Sequence, residues 1–214
     1  RVNPKTQKEI RFVSKPKEPI RLKRLFQCLD TILDENMVVT ADIGDALFGA
    51  LDLTIRKRTE FFSPAYYASM GFAVPAGLGA QLAKPHLRPI VIVGDGAFQM
   101  TGMELSTAIR LGLNPVVLVL NNQGYGAERV IEQADHEYND IVDWKYHEIP
   151  KILGGGKGFW VETEGDFIEA LHAALAYKEG FSILNIQVDR KDHSPALERI
   201  GKKLFNKVRK DRRQ

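Results

Sequence analysis

Two runs of consecutive apolar residues, Pro89-Ile-Val-Ile-Val93 and Pro115-Val-Val-Leu-Val-Leu120, limit what this chain can fold into more than any other feature. A strand with one face in water alternates apolar and polar side chains, whereas a strand that is apolar throughout needs cover on both faces. Parallel sheets wrapped by crossover helices supply that cover, and the intervening segments read as such helices. Ile20, Leu22, Leu25, Phe26, Leu29, Ile32 and Leu33 recur at helical spacing and predict a first helix. Met37 to Thr40 predicts a short strand, and Gly71 to Leu82, with Gly or Ala every few residues, a helix packed tightly on its neighbour. Met103 to Leu111 reads as a helix, Phe159 to Glu162 and Ser182 to Val188 as strands, and Asp166 to Tyr177 as the helix between those two. This alternation predicts an α/β fold with a doubly wound, mainly parallel sheet flanked by helices.

With 214 residues, 44% of them hydrophobic, the chain can bury one full core. Residues 1–19 read as a polar linker or N-terminal extension that follows another part of a longer protein. Residues 20–190 read as one binding domain, and 191–214 as a basic C-terminal helix or tail. The net charge of +3 gives no reason to expect nucleic acid, and the basic stretch Lys202 to Arg213 lacks interleaved aromatics apart from Phe205. A single cysteine, Cys28, excludes a disulfide framework or a cysteine metal cluster and points to a reducing cytoplasm. It falls on the apolar stripe of the first helix, as a buried thiol does. No apolar run approaches ~18–20 residues, so no membrane-spanning helix is expected. The five histidines are dispersed, with no partner at metal-ligand spacing.

Ligands of open α/β sheets bind beyond the carboxyl ends of the strands. Three predicted strands end in polar clusters: Ala41-Asp-Ile-Gly-Asp45, Gly94-Asp-Gly96 and Asn121-Asn122. Asp95 and Asn122 each sit just past a fully apolar strand and can reach one point above the sheet. A carboxylate, an amide oxygen and a nearby backbone carbonyl form the hard oxygen set that Mg²⁺ takes when phosphate oxygens and water complete its shell. Gly94 and Gly96 let backbone N–H groups approach a phosphate, and a helix beginning near Thr101 to Met103 is expected to add its positive end. An isolated Gly-Asp-Gly is most often only a turn. The G-x-G-x-x-G dinucleotide fingerprint is absent.

Gly94-Asp95-Gly96 followed by Asn121-Asn122, with Asp95 and Asn122 separated by 27 positions, resembles the thiamine diphosphate motif. The likeness runs from Ile20 to Val188 and is to thiamine diphosphate-dependent 2-oxo acid decarboxylases, the phenylpyruvate, indolepyruvate and pyruvate decarboxylase family. Its best segments are Ala41-Asp-Ile-Gly-Asp-Ala-Leu-Phe48, Tyr66-Tyr-Ala-Ser-Met-Gly-Phe-Ala-Val-Pro-Ala-Gly77 and Gly94-Asp-Gly-Ala-Phe-Gln-Met-Thr-Gly-Met-Glu-Leu105. The resemblance implies the diphosphate-binding C-terminal domain, with Mg²⁺ held by Asp95, Asn122 and the backbone carbonyl of Gly124. It implies that Met70 supports the bent cofactor between its two rings and that the backbone of Ala68 accepts a hydrogen bond from the aminopyrimidine. Ser69, Gly96, Ala97, Tyr125, Gly126 and Ala127 complete the implied cofactor-binding set. Gly44 and Asp45 match the loop at the pyrimidine and diphosphate. Many relatives carry a hydroxyl residue where Asp45 stands, and a carboxylate there must be turned away or hydrogen-bonded; it could equally cap the next helix.

Glu128 matches a glutamate beside the reacting centre, where a carboxyl group repels the substrate carboxylate or donates a proton. The alternative is a first-turn acid that complements a helix dipole, with Arg129 exposed to solvent beside it. The segment His136-Glu-Tyr-Asn-Asp-Ile141 resembles one that closes over the cofactor, although its residues are also ordinary turn formers. The resemblance further implies that a separate pyrimidine-binding domain, on another part of a longer chain or on a second subunit, completes the site, with a homo-oligomer and a small 2-oxo acid substrate. That substrate is expected to be aryl or branched-chain, and the product an aldehyde plus CO₂. An acetolactate synthase-like carboligase and a non-catalytic thiamine diphosphate-binding scaffold are the rival readings.

Overall fold

The computed structural model describes residues 12–55 and 60–211. Residues 1–11 of the expected linker and 212–214 of the expected tail lie outside it. Six strands, β1 (Met37–Ala41), β2 (Phe61–Phe62), β3 (Arg88–Gly94), β4 (Val116–Asn121), β5 (Lys157–Val161) and β6 (Ser182–Gln187), form one sheet in the order β2-β1-β3-β4-β6-β5. Every neighbouring pair is parallel. Both apolar runs lie at its centre, with β3 buried from Arg88 to Val93 and β4 along its full length.

Successive side chains of a strand point to opposite faces, and the two faces carry separate cores. Ile90, Ile92, Leu118 and Ile186 pack against α1 (Leu22–Ile32), α2 (Asp45–Ala50) and α8 (Glu164–Ala176). Val91, Val93, Val117 and Val119 pack against α3 (Ala73–Ala83), α4 (Asp95–Thr101), α5 (Leu105–Arg110) and α7 (Ile149–Leu153). Leu25 and Leu29 of α1 are fully buried, each contributing about 1.5–3 kcal/mol of transfer free energy. The small residues of α3 let it sit close to the sheet: a Cβ on Gly77 would lie 2.7 Å from Val91 Cγ2. A reciprocal capping box between Thr163 and Asp166 starts α8. Cys28 is buried within the α1 core, and burial pushes its thiol up to about 11.

Two sequence expectations change. No helix starts from a coil near Thr101–Met103; α4 begins directly at Asp95, and residues Gly102–Glu104 are a single 3₁₀ turn joining α4 to α5. Phe12 to Pro19, the described part of the expected linker, is fastened to the domain. Pro19 pairs with Thr163, the Lys15 N–H donates to Glu164 at 2.8 Å, and Arg24 makes an ion pair with Glu164 at 2.7 Å. The basic C-terminal segment forms α9 (Pro195–Asp211), which buries Ala196 and Leu197 and packs on α2 and on α6 (Gly126–Glu132). Among the described residues no helix is long and apolar enough to cross a membrane.

Candidate cofactor site

The β3–β4 register sets the site. Gly94 is the partner of Leu120, so Asp95 and the Asn121-Asn122 pair leave the sheet at the same end, and Asp95 and Asn122 line one cavity there. The Gly124 N–H donates to Asp95 Oδ2 at 3.1 Å, and the Gly96 N–H donates to Oδ1 at 2.8 Å. Asp95 is 1% exposed, and burial raises its carboxyl to about 6 although neighbouring N–H groups pull the other way. The two asparagines at the end of β4 divide the work. Asn121 donates to Asp143 and Asn185 and accepts the Gln123 N–H, so its role is to hold the turn. Asn122 Oδ1 is buried and has no hydrogen-bond partner. Leaving such an oxygen unpaired costs about 1–3 kcal/mol. A buried carboxylate beside an unpaired amide oxygen fits a hard cation that takes its remaining ligands from phosphate and water. Among the described residues no cluster of three His, Cys, Asp or Glu is placed to hold a metal by itself.

This corner is the polar end of a cavity of about 430 Å³. Gly44, Asp45, Ala68 and Met70 line it. Gly96, Ala97, Gly124, Tyr125, Gly126, Ala127 and Glu128 line it too. Of the expected residues only Ser69 does not line it; Ser69 is exposed. Two glycines are there for clearance. A Cβ on Gly96 would lie 2.6 Å from the Tyr125 ring, and one on Gly126 would lie 2.3 Å from Asn122 Nδ2. The remaining wall is apolar, with Leu22, Ile43, Phe48, Ile131 and Val188, none of which the sequence places among the site residues.

Met70 reaches the cavity because the turn after it is pinned from below. Asp42, fully buried at the end of β1, accepts the N–H groups of Gly71 at 3.2 Å and Ala73 at 2.8 Å. Thr101 Oγ1 donates to the Gly71 carbonyl at 2.8 Å. Ala68 holds φ at 56°, a left-handed conformation unusual for a residue with a Cβ. Such strain persists only where surrounding contacts over-determine it.

Asp45 neither caps α2 through its side chain nor points a free carboxylate at the cavity. Its carboxylate accepts the Ser194 N–H at 2.9 Å and lies 3.3 Å from His193 Nδ1, tying the start of α9 to the site. Glu128 stands in the first turn of α6, exposed and facing the cavity. Arg129, expected at the surface, is buried at 7% exposure. Its guanidinium reaches the carbonyls of Asn122, Gln123 and Asn139 and the carboxylate of Asp140. The segment after α6 returns against the same loop, with the Tyr125 N–H donating to Asn139 O at 2.8 Å and Gly124 bridging Asp140. Side-chain spacing gives no sign of these long-range polar contacts. The one available signal is an arginine followed within eleven positions by the acids Asp135 and Asp140.

Sheet and cavity together define a doubly wound α/β domain whose ligand cleft sits at the carboxyl ends of its central strands. Residues 42–186 match the family described as thiamine pyrophosphate enzyme, C-terminal TPP binding domain, and the chain belongs to that family. It is similar to an alpha-keto-acid decarboxylase of Mycolicibacterium paratuberculosis, at 37% identity over 175 residues, covering 81% of this chain and 31% of that protein. It is also similar to an indole-3-pyruvate decarboxylase of Azospirillum brasilense, at 38% identity over 166 residues, covering 78% and 30%. An alpha-keto-acid decarboxylase of Mycobacterium ulcerans is 34% identical over 185 residues, covering 86% and 33%. The chain therefore spans about a third of the length of the curated relatives it matches.

Proposed function

We propose that this domain holds the Mg²⁺–diphosphate end of thiamine diphosphate in a 2-oxo acid decarboxylase that releases an aldehyde and CO₂. The observation that carries the reading is the buried, unpartnered Asn122 Oδ1 beside the buried Asp95 carboxylate. Asp95, Asn122 and the Gly124 carbonyl hold Mg²⁺, and Gly96 and Gly126 keep side chains out of the space the diphosphate needs. Met70 is the apolar support on which the cofactor bends, with the Ala68 carbonyl as acceptor for its aminopyrimidine. When bound, thiamine diphosphate supplies an electron sink for the carbanion left by decarboxylation. Glu128 stands across the cavity and holds or gives up a proton at its carboxyl group near the reacting centre. A mostly apolar wall excludes water and suits an aryl or branched-chain substrate.

A pyrimidine-binding domain, from the rest of a longer chain or from a separate subunit, completes the site, and a homodimer is the simplest assembly. A cytoplasmic setting agrees with the single buried thiol. The test is Asn122→Ala in the full protein, followed by calorimetry with thiamine diphosphate and Mg²⁺. Mg²⁺-dependent binding is lost if Asn122 is a ligand; unchanged affinity removes the assignment. Product analysis of the wild type separates aldehyde release from a carboligase, which makes an acetohydroxy acid, and from a scaffold, which makes neither.

A further inference from the structure

Between the two residues read as metal ligands, Asn122 and Gly124, stands Gln123 with φ at 58°. A left-handed conformation costs a residue with a Cβ roughly 1–2 kcal/mol, so something must hold it. The peptide unit joining Gln123 to Gly124 is gripped at both ends. On one side the Gly124 N–H donates to Asp95 Oδ2 at 3.1 Å. On the other, the Gln123 carbonyl accepts from Arg129 at 3.2 Å, and the preceding carbonyl, of Asn122, accepts from the other terminal nitrogen of the same guanidinium at 3.3 Å. Both peptide planes that flank Gln123 are thereby fixed by one planar group.

We propose that Arg129 is the positioning residue of this metal loop: its guanidinium locks the strained Gln123 so that the Asn122 amide and the Gly124 carbonyl face one cation. The proposal rests on the reading of Asp95, Asn122 and Gly124 as the Mg²⁺–diphosphate corner. Arg129 is itself held in place. Its Nη2 lies 2.8 Å from Asp140 Oδ1 and its Nε 3.0 Å from Asp135 Oδ1. Arg190, which follows β6, pairs with both of those carboxylates. Paired charges keep the buried cation from being an uncompensated one, whose removal or addition would be costly. Arg129 thus joins the metal loop, the helix carrying Glu128 and the returning segment 135–140 into one unit. Lysine cannot replace it, because a single ammonium offers no fork to span two successive peptide carbonyls and a carboxylate.

The deciding experiment uses the full protein and titrates Mg²⁺ at fixed thiamine diphosphate, read by calorimetry or by quenching of protein fluorescence. Arg129→Lys raises the half-saturating Mg²⁺ concentration by about 10–100-fold, the usual penalty for losing a group that orients a metal ligand. Saturating Mg²⁺ then restores the full extent of thiamine diphosphate binding. A loss of binding that excess Mg²⁺ does not recover marks Arg129 as merely structural and overturns the proposal. An unchanged Mg²⁺ requirement overturns it too. Asn122→Ala, run alongside, separates the two levels: if it loses Mg²⁺-dependent binding while Arg129→Lys does not, the corner stands and the role of Arg129 falls. If neither variant changes, the corner itself is misread. Should Arg129→Lys fail to fold, Asp140→Ala keeps the guanidinium and removes one of its two exposed carboxylate partners. That variant raises the Mg²⁺ requirement by a smaller factor, about 3-fold, and no change at all refutes the proposal.

Discussion

Gly126→Ala is the change that best separates the metal corner from the stability of the domain. Gly126 is the first residue of α6, where alanine is favoured over glycine by about 0.5–1 kcal/mol. The added methyl lands 2.3 Å from Asn122 Nδ2. Relief to an ordinary contact of about 3.5 Å moves the amide by roughly 1 Å. A half-exposed side chain can make that move into the cavity at an overpacking cost of about 1–3 kcal/mol, so unfolding free energy changes by no more than about 2 kcal/mol. The metal corner tolerates far less. Mg²⁺ demands ligands at about 2.0–2.1 Å, with a tolerance of about 0.2 Å. An amide oxygen displaced by several times that tolerance no longer ligates. Mg²⁺-dependent affinity for thiamine diphosphate should therefore fall by about 100-fold, close to 2.7 kcal/mol, in a protein whose melting temperature falls by no more than about 4–8 °C. Calorimetry on the full protein measures the first quantity and thermal unfolding without cofactor the second. In an Asn122→Ala background the new methyl meets no amide, so Gly126→Ala should cost nothing further. Near-wild-type affinity in the single variant, or an equal loss in both backgrounds, would falsify the placement of Asn122.

Two other outcomes follow from the same geometry. In the Mg²⁺-free protein the Asp95 carboxyl carbon should titrate by ¹³C NMR near pH 6, against about 3.9 unfolded. Because the folded state binds this proton more tightly, the group lowers stability as pH rises from about 4 to about 6 and has no further effect above that; Mg²⁺ moves the midpoint down, and a metal-free midpoint near 4 refutes the burial argument. Glu128→Gln should leave Mg²⁺ and thiamine diphosphate affinity within a few-fold of wild type while slowing turnover of the full protein by about 10²–10⁴, and undiminished turnover reduces Glu128 to a helix-terminus acid.

The parts of the fold that were legible are those whose signal is local. β3 and β4 announce themselves because a strand buried on both faces must be apolar at every position, and Pro89–Val93 and Pro115–Leu120 are. The two-residue β2 carries no such pattern; it is a strand only because Phe61 and Phe62 lie in register with Val39 and Thr40. The start of α4 was hidden for the opposite reason. Gly94-Asp-Gly96 punctuates the chain like a turn, yet the Gly96 N–H finds the Asp95 carboxylate and Gly94 serves as the helix boundary. Asp95 and Asn122 are legible because each stands two residues past an apolar run. Arg129 is buried where an exposed residue is expected, since three of its partners are backbone carbonyls, which sequence does not display.

That contrast explains how a site meant for a diphosphate tolerates so many acids. Asp42, Asp45 and Asp95 all lie at or near the cavity, and three free carboxylates would repel the anion they surround. None is free. Asp42 spends its oxygens on the N–H groups of Ile43, Gly71 and Ala73, and so positions Met70. Asp45 spends its own on the Ser194 N–H and His193, and so ties down α9. Asp95 likewise accepts the Gly96 and Gly124 N–H groups, but it shares the cavity with Asn122, whose buried Oδ1 has no donor, and that unpaired oxygen is what a cation would satisfy. Arg129, buried on the far side of the loop with its charge matched by Asp135 and Asp140, adds rigidity without competing for that cation's place.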